Sequence, residues 1–292
     1  MNGVLVVDKA PGMTSHDVVG RVRRAVGVKR VGHAGTLDPD ATGVLVVCIG
    51  PATRLADLIA DQGKTYRCTL ALGATTDSED ASGTILEEKD ASGVTREMLE
   101  TAAARFVGEI DQVPPMVSAV HHNGQRLYDL ARRGITVERE ARRIRVDSIQ
   151  VLSFEPAMRA IAEVDVATGK GAYVRTLCAD IGAALGVGGH MAALRRTAVG
   201  QFQVEGALPV DSLSREAIEE RLIAPADAIP HVARVAITTD TDRDHLQHGR
   251  AIAVDEPDVD VVAAVDADGN LLALGTLKEG WLRPSKVFCE SL

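Results

Sequence analysis

The chain has 292 residues, of which 46% are apolar, 25% charged and 3% aromatic, and its formal net charge is −9. That length holds one large or two ordinary domains, and globular-average fractions exclude global disorder. No apolar run approaches the ~20 residues that span a bilayer, and four widely spaced cysteines without a CxxC argue against a zinc site or a disulfide framework. The N-terminal MNGVLVVDKAPG has neither a basic n-region nor a small-residue cleavage site, so a cytoplasmic protein is expected.

In chain order, residues 3–7 read as a short apolar strand followed by the turn Lys9-Ala10-Pro11-Gly12. Thr14 or Ser15 is placed to cap a helix whose apolar positions Val18, Val19, Val22, Ala25 and Val26 keep the helical period, and Gly27 ends it. Residues 32–43 form a loop rich in turn formers, and 44–49 a buried strand. Over 64–72, Tyr66, Cys68, Leu70 and Leu72 alternate with polar neighbours, the mark of a half-buried strand. Residues 95–107 predict an amphipathic helix, 144–152 and 160–167 strands, and 173–185 a helix. Helices and strands interleave irregularly rather than in βαβ steps, so the expected class is α+β with a mixed or antiparallel central sheet flanked by helices. Pro225 and Pro230 mark a break. Beyond it, short β-type runs at 250–254, 259–265, 271–277 and 287–289 make a small β domain, with a hairpin turn at Asp268-Gly269-Asn270. The expected division is 1–228 and 229–292.

Net charge is a weak guide to partners, because phosphate contacts are made by local patches. Between Val18 and His33 there is no acid, while Arg21, Arg23, Arg24, Lys29 and Arg30 are basic. A second segment carries Arg126, Arg132, Arg133, Arg139, Arg142, Arg143 and Arg145. Either run alone reads as a solvated helix face. Both in one acidic chain point to a polyanion-binding face.

The stretch most suited to chemistry is GHAGTLDPDATG at 32–43, where three glycines and a proline constrain a loop directly before a buried strand. It presents His33, Thr36, Asp38 and Asp40 on a rigid support, a common placement for reactive groups. A structural Asx turn at Asp38 and Pro39 is the alternative. Neither GxxxxGK[ST] nor GxGxxG occurs.

This loop, extended to GHAGTLDPDATGVL, resembles the catalytic segment of the bacterial tRNA pseudouridine-55 synthases of the TruB family. Further matches follow in order: DKAPGMTSHDVV at 8–19, KTYRCTLALG at 64–73, and Thr75-Thr76-Asp77 with Asp80 and Gly83. QVPPMVSA at 112–119, GQRLYDLARRG at 124–134, GAYVRTLCADIG at 171–182 and LRRTAVG at 194–200 complete the set. Together they cover about two thirds of the chain. The resemblance implies the pseudouridine synthase fold with a small C-terminal PUA-like RNA-binding domain, and the isomerisation of uridine in the T-loop (position 55) of tRNA. It implies no cofactor, no metal and no obligatory protein partner, so a monomer is expected.

By position in the motifs, Asp38 resembles the essential aspartate. It could serve as nucleophile toward C1′ or C6, or as a base toward the 2′-carbon. Each route needs an ionised carboxylate in a site that excludes water; burial alone would raise its pKa, and a cation would oppose that shift. Arg175 resembles the arginine partner of that carboxylate. A stacked uridine must be flipped out to be reached. Tyr66 resembles the stacking and proton-handling tyrosine, Tyr173 a second pocket tyrosine, His33 the residue that fills the gap left by the flipped nucleotide, and Leu194 the apolar wall of the uracil pocket. Taken bare, the two tyrosines and Leu194 read as core residues, and His33 as loop packing. Lys9 and Pro11 match the family's N-terminal turn and would support the loop. Residues 121–146 sit where stand-alone members carry an insertion that closes over the T-arm, so Arg126, Arg132, Arg133, Arg142 and Arg143 are expected on the RNA backbone. The chain departs from the pattern at Val117, where tyrosine is usual, and at His121, where lysine is common. Two other readings stay open: a guide-RNA-dependent pseudouridylase subunit, and an RNA-binding or tRNA-folding protein with secondary catalysis. The insertion and the 194–200 run favour a stand-alone enzyme.

Overall fold

The computed structural model describes residues 1–292 except 117–120, 123–124, 127–132, 134, 136 and 289–292, with the backbone alone at 121, 122, 125 and 126. Strand β1 (Gly3–Lys9) leads into helix α1 (Ser15–Val26). Thr14 caps α1 in a reciprocal box with Asp17, and Gly27 closes it in the left-handed conformation, φ 68°. Strand β2 (Val31–His33) and strand β3 (Thr42–Ile49) follow, then helix α2 (Ala56–Ala60) and strand β4 (Lys64–Leu72). A hairpin of β5 (Ala74–Thr76) and β6 (Ile85–Glu88) precedes helix α3 (Arg96–Ala104) and strand β7 (Gly108–Gln112). Short strands β8 (His121–His122) and β9 (Gln125–Arg126) pair with each other. Then come β10 (Arg142–Glu155), β11 (Ile161–Thr168), helix α4 (Val174–Ala184), β12 (Gly189–Val199), β13 (Phe202–Gln203), β14 (Leu208–Pro209) and helix α5 (Arg215–Glu220).

The central sheet runs β14-β1-β3-β12-β4-β11-β10-β7 and is mostly antiparallel, with parallel pairings at β1–β14 and β3–β12. A mixed sheet flanked by helices is the expected class. The apolar run of β3 is buried on both faces, as its lack of alternation implies. Val44, Val46 and Cys48 join one core, while Leu45, Val47 and Ile49 join another under α1 and α5. Tyr66, Cys68, Leu70 and Leu72 of β4 face a third core with α3 and α4. There Cys68 and Cys178, 110 residues apart in sequence, bring their sulfurs to 3.4 Å as free thiols.

A second sheet, β15 (Ala233–Ala236), β17 (Val259–Val265), β18 (Leu271–Lys278), β19 (Trp281–Val287) and β16 (Ile252–Ala253), packs against helix α6 (Asp240–Gln247). Ala263, Val265, Leu271, Leu274 and Phe288 share a core with Val4, Val6 and Val46 of the central sheet. The expected hairpin at 268–270 is present, with Asp266 accepting from the amides of Asp268 and Asn270.

Two expectations need correction, and one helix lies where no element is expected. Gly32 and His33, expected in the loop, instead pair with β3, opposite Cys48 and Val47. The last strand is Trp281–Val287 rather than 287–289; its alternation of buried and exposed positions carries few apolar residues, so composition hides it. Helix α6 has no apolar period, with only Leu246 buried, and owes its start to the Thr239 cap.

One close approach ties the fold to the loop before β3. Gly43 has φ 96°, and a Cβ there would lie 2.1 Å from the backbone oxygen of Arg196 on β12. Gly43→Ala is therefore expected to cost about 2–3 kcal/mol, read as a lower urea midpoint; an unchanged midpoint would show that β3 and β12 can separate freely.

Candidate active site

The loop between β2 and β3 is clamped residue by residue. Ala34 donates to Val46 O at 2.9 Å. Arg196 Nη2 and Nη1 donate to the carbonyls of Gly35 and Thr36, at 3.1 and 3.3 Å. Ser15 Oγ accepts from Leu37 N at 2.9 Å and reaches Leu37 O at 3.1 Å. The carbonyl of Pro39 accepts from Lys9 Nζ at 2.7 Å and from Gly12 N at 3.0 Å. Asp38 stands between these anchors, its carbonyl closing a turn with Ala41 N at 3.2 Å while its carboxylate is directed elsewhere. Lys9 is fully buried, and burial lowers its pKa to about 8, against the raising effect of Asp40 and Asp38.

The Asp38 carboxylate meets Arg175 near the start of α4, Oδ2 to Nε 3.3 Å. Arg175 is itself buried, and its Nη1 lies 3.3 Å from Asp80 Oδ2. One guanidinium thus bridges two carboxylates from separate segments. Their environments differ. Burial raises the pKa of Asp38, Arg175 opposes that shift, and the charge of Asp80 adds to it. Burial also works against the charge on Asp80. Hydrogen bonds from Ser82 and Ser78, with Arg175, outweigh burial and hold its carboxyl below the usual range.

Asp38, Arg175, Tyr66, Tyr173 and Leu194 line one cavity of about 310 Å³, together with Lys64 and Arg196. Asp38, Arg175 and Leu194 also wall a second cavity of about 290 Å³ with Asp80 and Met191. Tyr66 is both a core residue and a cavity residue, 7% exposed. Burial raises the pKa of its hydroxyl, and Arg196 opposes that. Tyr173 precedes α4, its backbone held on both sides by the Gln112 side chain at 2.8 and 3.1 Å. Leu194 packs against two cores at once.

The structure does not bring every expected residue here. His33 is not in the cavity lining; it meets His16 edge to face at 5.2 Å, and its Nδ1 is buried without a partner. Arg142 and Arg143 lie exposed on β10, where Arg143 is 3.4 Å from both Glu109 and Asp111. Arg133 is exposed; Arg132 and Val117 fall outside the described residues, as do the side chains of Arg126 and His121. Sequence reasoning assigned no role to Lys64, Asp80 or Arg196, although all three lie in the quoted motifs. Among the described residues no group of three or more His, Cys, Asp or Glu is arranged to hold a metal ion, and no helix is long and apolar enough to cross a membrane.

The same architecture occurs in a chain of an H/ACA RNP bound to a substrate RNA containing 2′-deoxyuridine (TM-score 0.74, 26% identity, covering 99% of this chain and 85% of that one). It recurs in a Cbf5–Nop10–Gar1 complex (TM-score 0.73, 28% identity, 98% and 84%). Residues 23–174 match the model of the TruB family pseudouridylate synthase N-terminal domain, and 175–229 that of the tRNA pseudouridylate synthase B C-terminal domain. Proteins named tRNA pseudouridine synthase B are 50% identical over 82% of this chain and 79% of the relative in Symbiobacterium thermophilum, and 46% identical over 98% and 95% in Mycobacterium sp. (strain KMS). The chain belongs to the TruB family of pseudouridylate synthases and is an RNA uridine isomerase.

Burial, then His16 and Arg196, lower the pKa of His33 to about 4. Ring-proton NMR should therefore show His33 neutral down to about pH 4. Because the unfolded imidazole takes up its proton at higher pH, the His33 contribution to stability is complete above ~6.5 and falls as pH drops from there toward 4. A midpoint near 6.5 would mean that this ring is solvated.

Proposed function

We propose that the chain converts uridine to pseudouridine in the T-loop of tRNA, at position 55, with Asp38 as the essential carboxylate and without cofactor or protein partner. The observation that carries this reading is the Asp38–Arg175 ion pair in the wall of a cavity that also holds Tyr66 and Tyr173. The cavity is at the small end of ligand-site volumes, suited to one nucleoside. A uridine swung out of its stack would present its base to the aromatic rings and its glycosidic bond to the carboxylate. The Asp38 side chain is 41% exposed, and Arg175 helps to keep it charged against the partial burial, whether it attacks C1′ or C6 or takes a proton from the 2′-carbon. Leu194 gives the base an apolar wall, and Tyr66 a face and a hydroxyl. The names of relatives 42–50% identical to this chain support tRNA as substrate. His33, beside the cavity-lining residues Gly35 and Thr36, is assigned to the gap left in the loop. In this reading residues 1–228 carry the reaction, 229–292 are a PUA-like RNA-binding unit, and the basic 121–146 segment grips the T-arm backbone.

Purified chain and an unmodified tRNA transcript, with nothing else, should yield pseudouridine in the T-loop; none formed would overturn the stand-alone reading. Asp38→Asn should lower turnover on the order of 10³-fold or more while tRNA binding changes by no more than ~3-fold. Loss of binding instead would favour a folding role. Because the active form is the ionised one and its pKa is raised, turnover should fall toward acid pH, with a midpoint above the usual carboxylate range. A midpoint at the free-carboxylate value would contradict the burial of Asp38.

Affinity should fall steeply with salt, and replacing Arg132, Arg133, Arg142 and Arg143 together should flatten the log–log slope by roughly 2, since Arg143 is already shared with two acids. An unchanged slope would make this segment a solvated face.

A further inference from the structure

The cavity that holds Asp38 is walled by charge of mostly one sign. Its charged lining residues are Asp38, Lys64, Arg175 and Arg196, three cations against one carboxylate, in a chain whose formal net charge is −9. Two of the cations are already satisfied. Arg175 is shared between Asp38 and Asp80. Arg196, 1% exposed, donates to backbone carbonyls, Nε to Val44 at 2.7 Å and the two terminal nitrogens to Thr36 and Gly35. That leaves Lys64.

Lys64 opens β4, two residues before Tyr66, and the period of a strand sends both side chains to the same face. Its ammonium has three protons. One is donated to Ala60 O at 2.7 Å and one to Gln62 O at 2.9 Å. Among the described residues there is neither an acceptor for the third nor a carboxylate within ion-pair distance of Nζ. Asp61, the acid whose charge favours the ammonium, is itself bonded to Lys170 Nζ at 2.9 Å. The side chain is half-buried, and burial, with the charges of Arg196 and Lys170, lowers its pKa to about 8. The cations beyond the cavity differ: Arg145 and Lys170 each meet an acid, Asp147 at 2.6 Å and Asp61 at 2.9 Å. Thr168 stands directly across from Lys64 on β11, and the lining runs on into Gly169, Gly171 and Ala172, none with a side chain longer than a methyl.

A uracil base carries no charge, so contact with the base does not account for an unpaired cation in the cavity wall. The anionic part of a nucleotide in RNA is its phosphodiester, and an ammonium with a spare proton suits it as a point charge. We propose that Lys64 is a phosphate-binding residue of this cavity: its third proton is donated to a non-bridging oxygen of one of the two phosphodiesters flanking the flipped uridine, so that the sugar–phosphate stays anchored while the base is detached and turned. This inference rests on the reading that the cavity receives that nucleotide.

The test is a double-mutant cycle across the contact. T-arm RNAs carry a neutral methylphosphonate either 5′ or 3′ to the target uridine, and Kd is measured for the full-length protein and for Lys64→Met. With the unsubstituted protein, one of the two methylphosphonates should weaken binding by about 10-fold or more, and Lys64→Met should weaken binding of the all-phosphate RNA by a similar factor. In Lys64→Met that same methylphosphonate should weaken binding by no more than ~2-fold further, because its partner is gone. Circular dichroism shows whether the variant is folded. Should it unfold, Lys64→Gln replaces it, being neutral but still able to donate to the two carbonyls. Equal losses in protein and variant at both positions overturn the proposal, as does unchanged binding of the all-phosphate RNA by a folded variant. Insensitivity of the unsubstituted protein to both methylphosphonates overturns it without any variant. If the unsubstituted chain binds these RNAs but forms no pseudouridine, the functional reading fails instead, and the cycle still reports whether Lys64 holds a phosphate.

Discussion

A half-exposed carboxylate beside a buried guanidinium, at the edge of a cavity, is the interaction on which the rest of this structure depends. Burial raises the pKa of Asp38, and Arg175 at 3.3 Å, with the charges of Lys9 and Arg196, only partly offsets that. Arg175 is in turn held by Asp80, whose charge is secured by the Ser78 and Ser82 hydroxyls. The pair is therefore one end of a chain of polar groups, each satisfied by the next, and it leaves Asp38 as the member whose charge is least secured. That is a useful property in a group that has to react.

The backbone serves the same end. The residues flanking Asp38 are tied to three elements: Gly35 and Thr36 to β12, Leu37 to α1, Pro39 to β1 and to the turn after it. The anchor from β1 arrives through a strand buried on both faces, whose apolar side chains cannot shift without opening a core. The parallel contact of β3 with β12 lets Arg196 reach the loop, and Gly43 is the residue whose missing side chain allows that contact.

Much of the fold was legible from local chemistry. Thr14 and Gly27 bound a helix because capping and the left-handed conformation are properties of single residues. Strand β4 showed its period of two because one of its faces meets a core, and Asp268-Gly269-Asn270 announced its turn. Helix α6 and strand β19 were hidden for the complementary reason. Each is held mainly by a cap or by neighbouring strands, and neither leaves an apolar pattern in the chain.

The candidate site divides in the same way. Sequence alone determined that Asp38 sits on a constrained loop before a buried strand, and resemblance to the TruB family joined that loop to Tyr66, Tyr173, Arg175 and Leu194. Tertiary structure alone decided that Lys9 reaches Pro39 across 30 residues, that Asp80 shares Arg175 across 95, that Arg196 spans about 160 to hold the loop, and that His33 turns to His16 rather than into the cavity. Periodicity and capping are written in neighbouring residues. Which strand lies beside which, and in what register, depends on how whole faces bury one another, and no short stretch of chain carries that information.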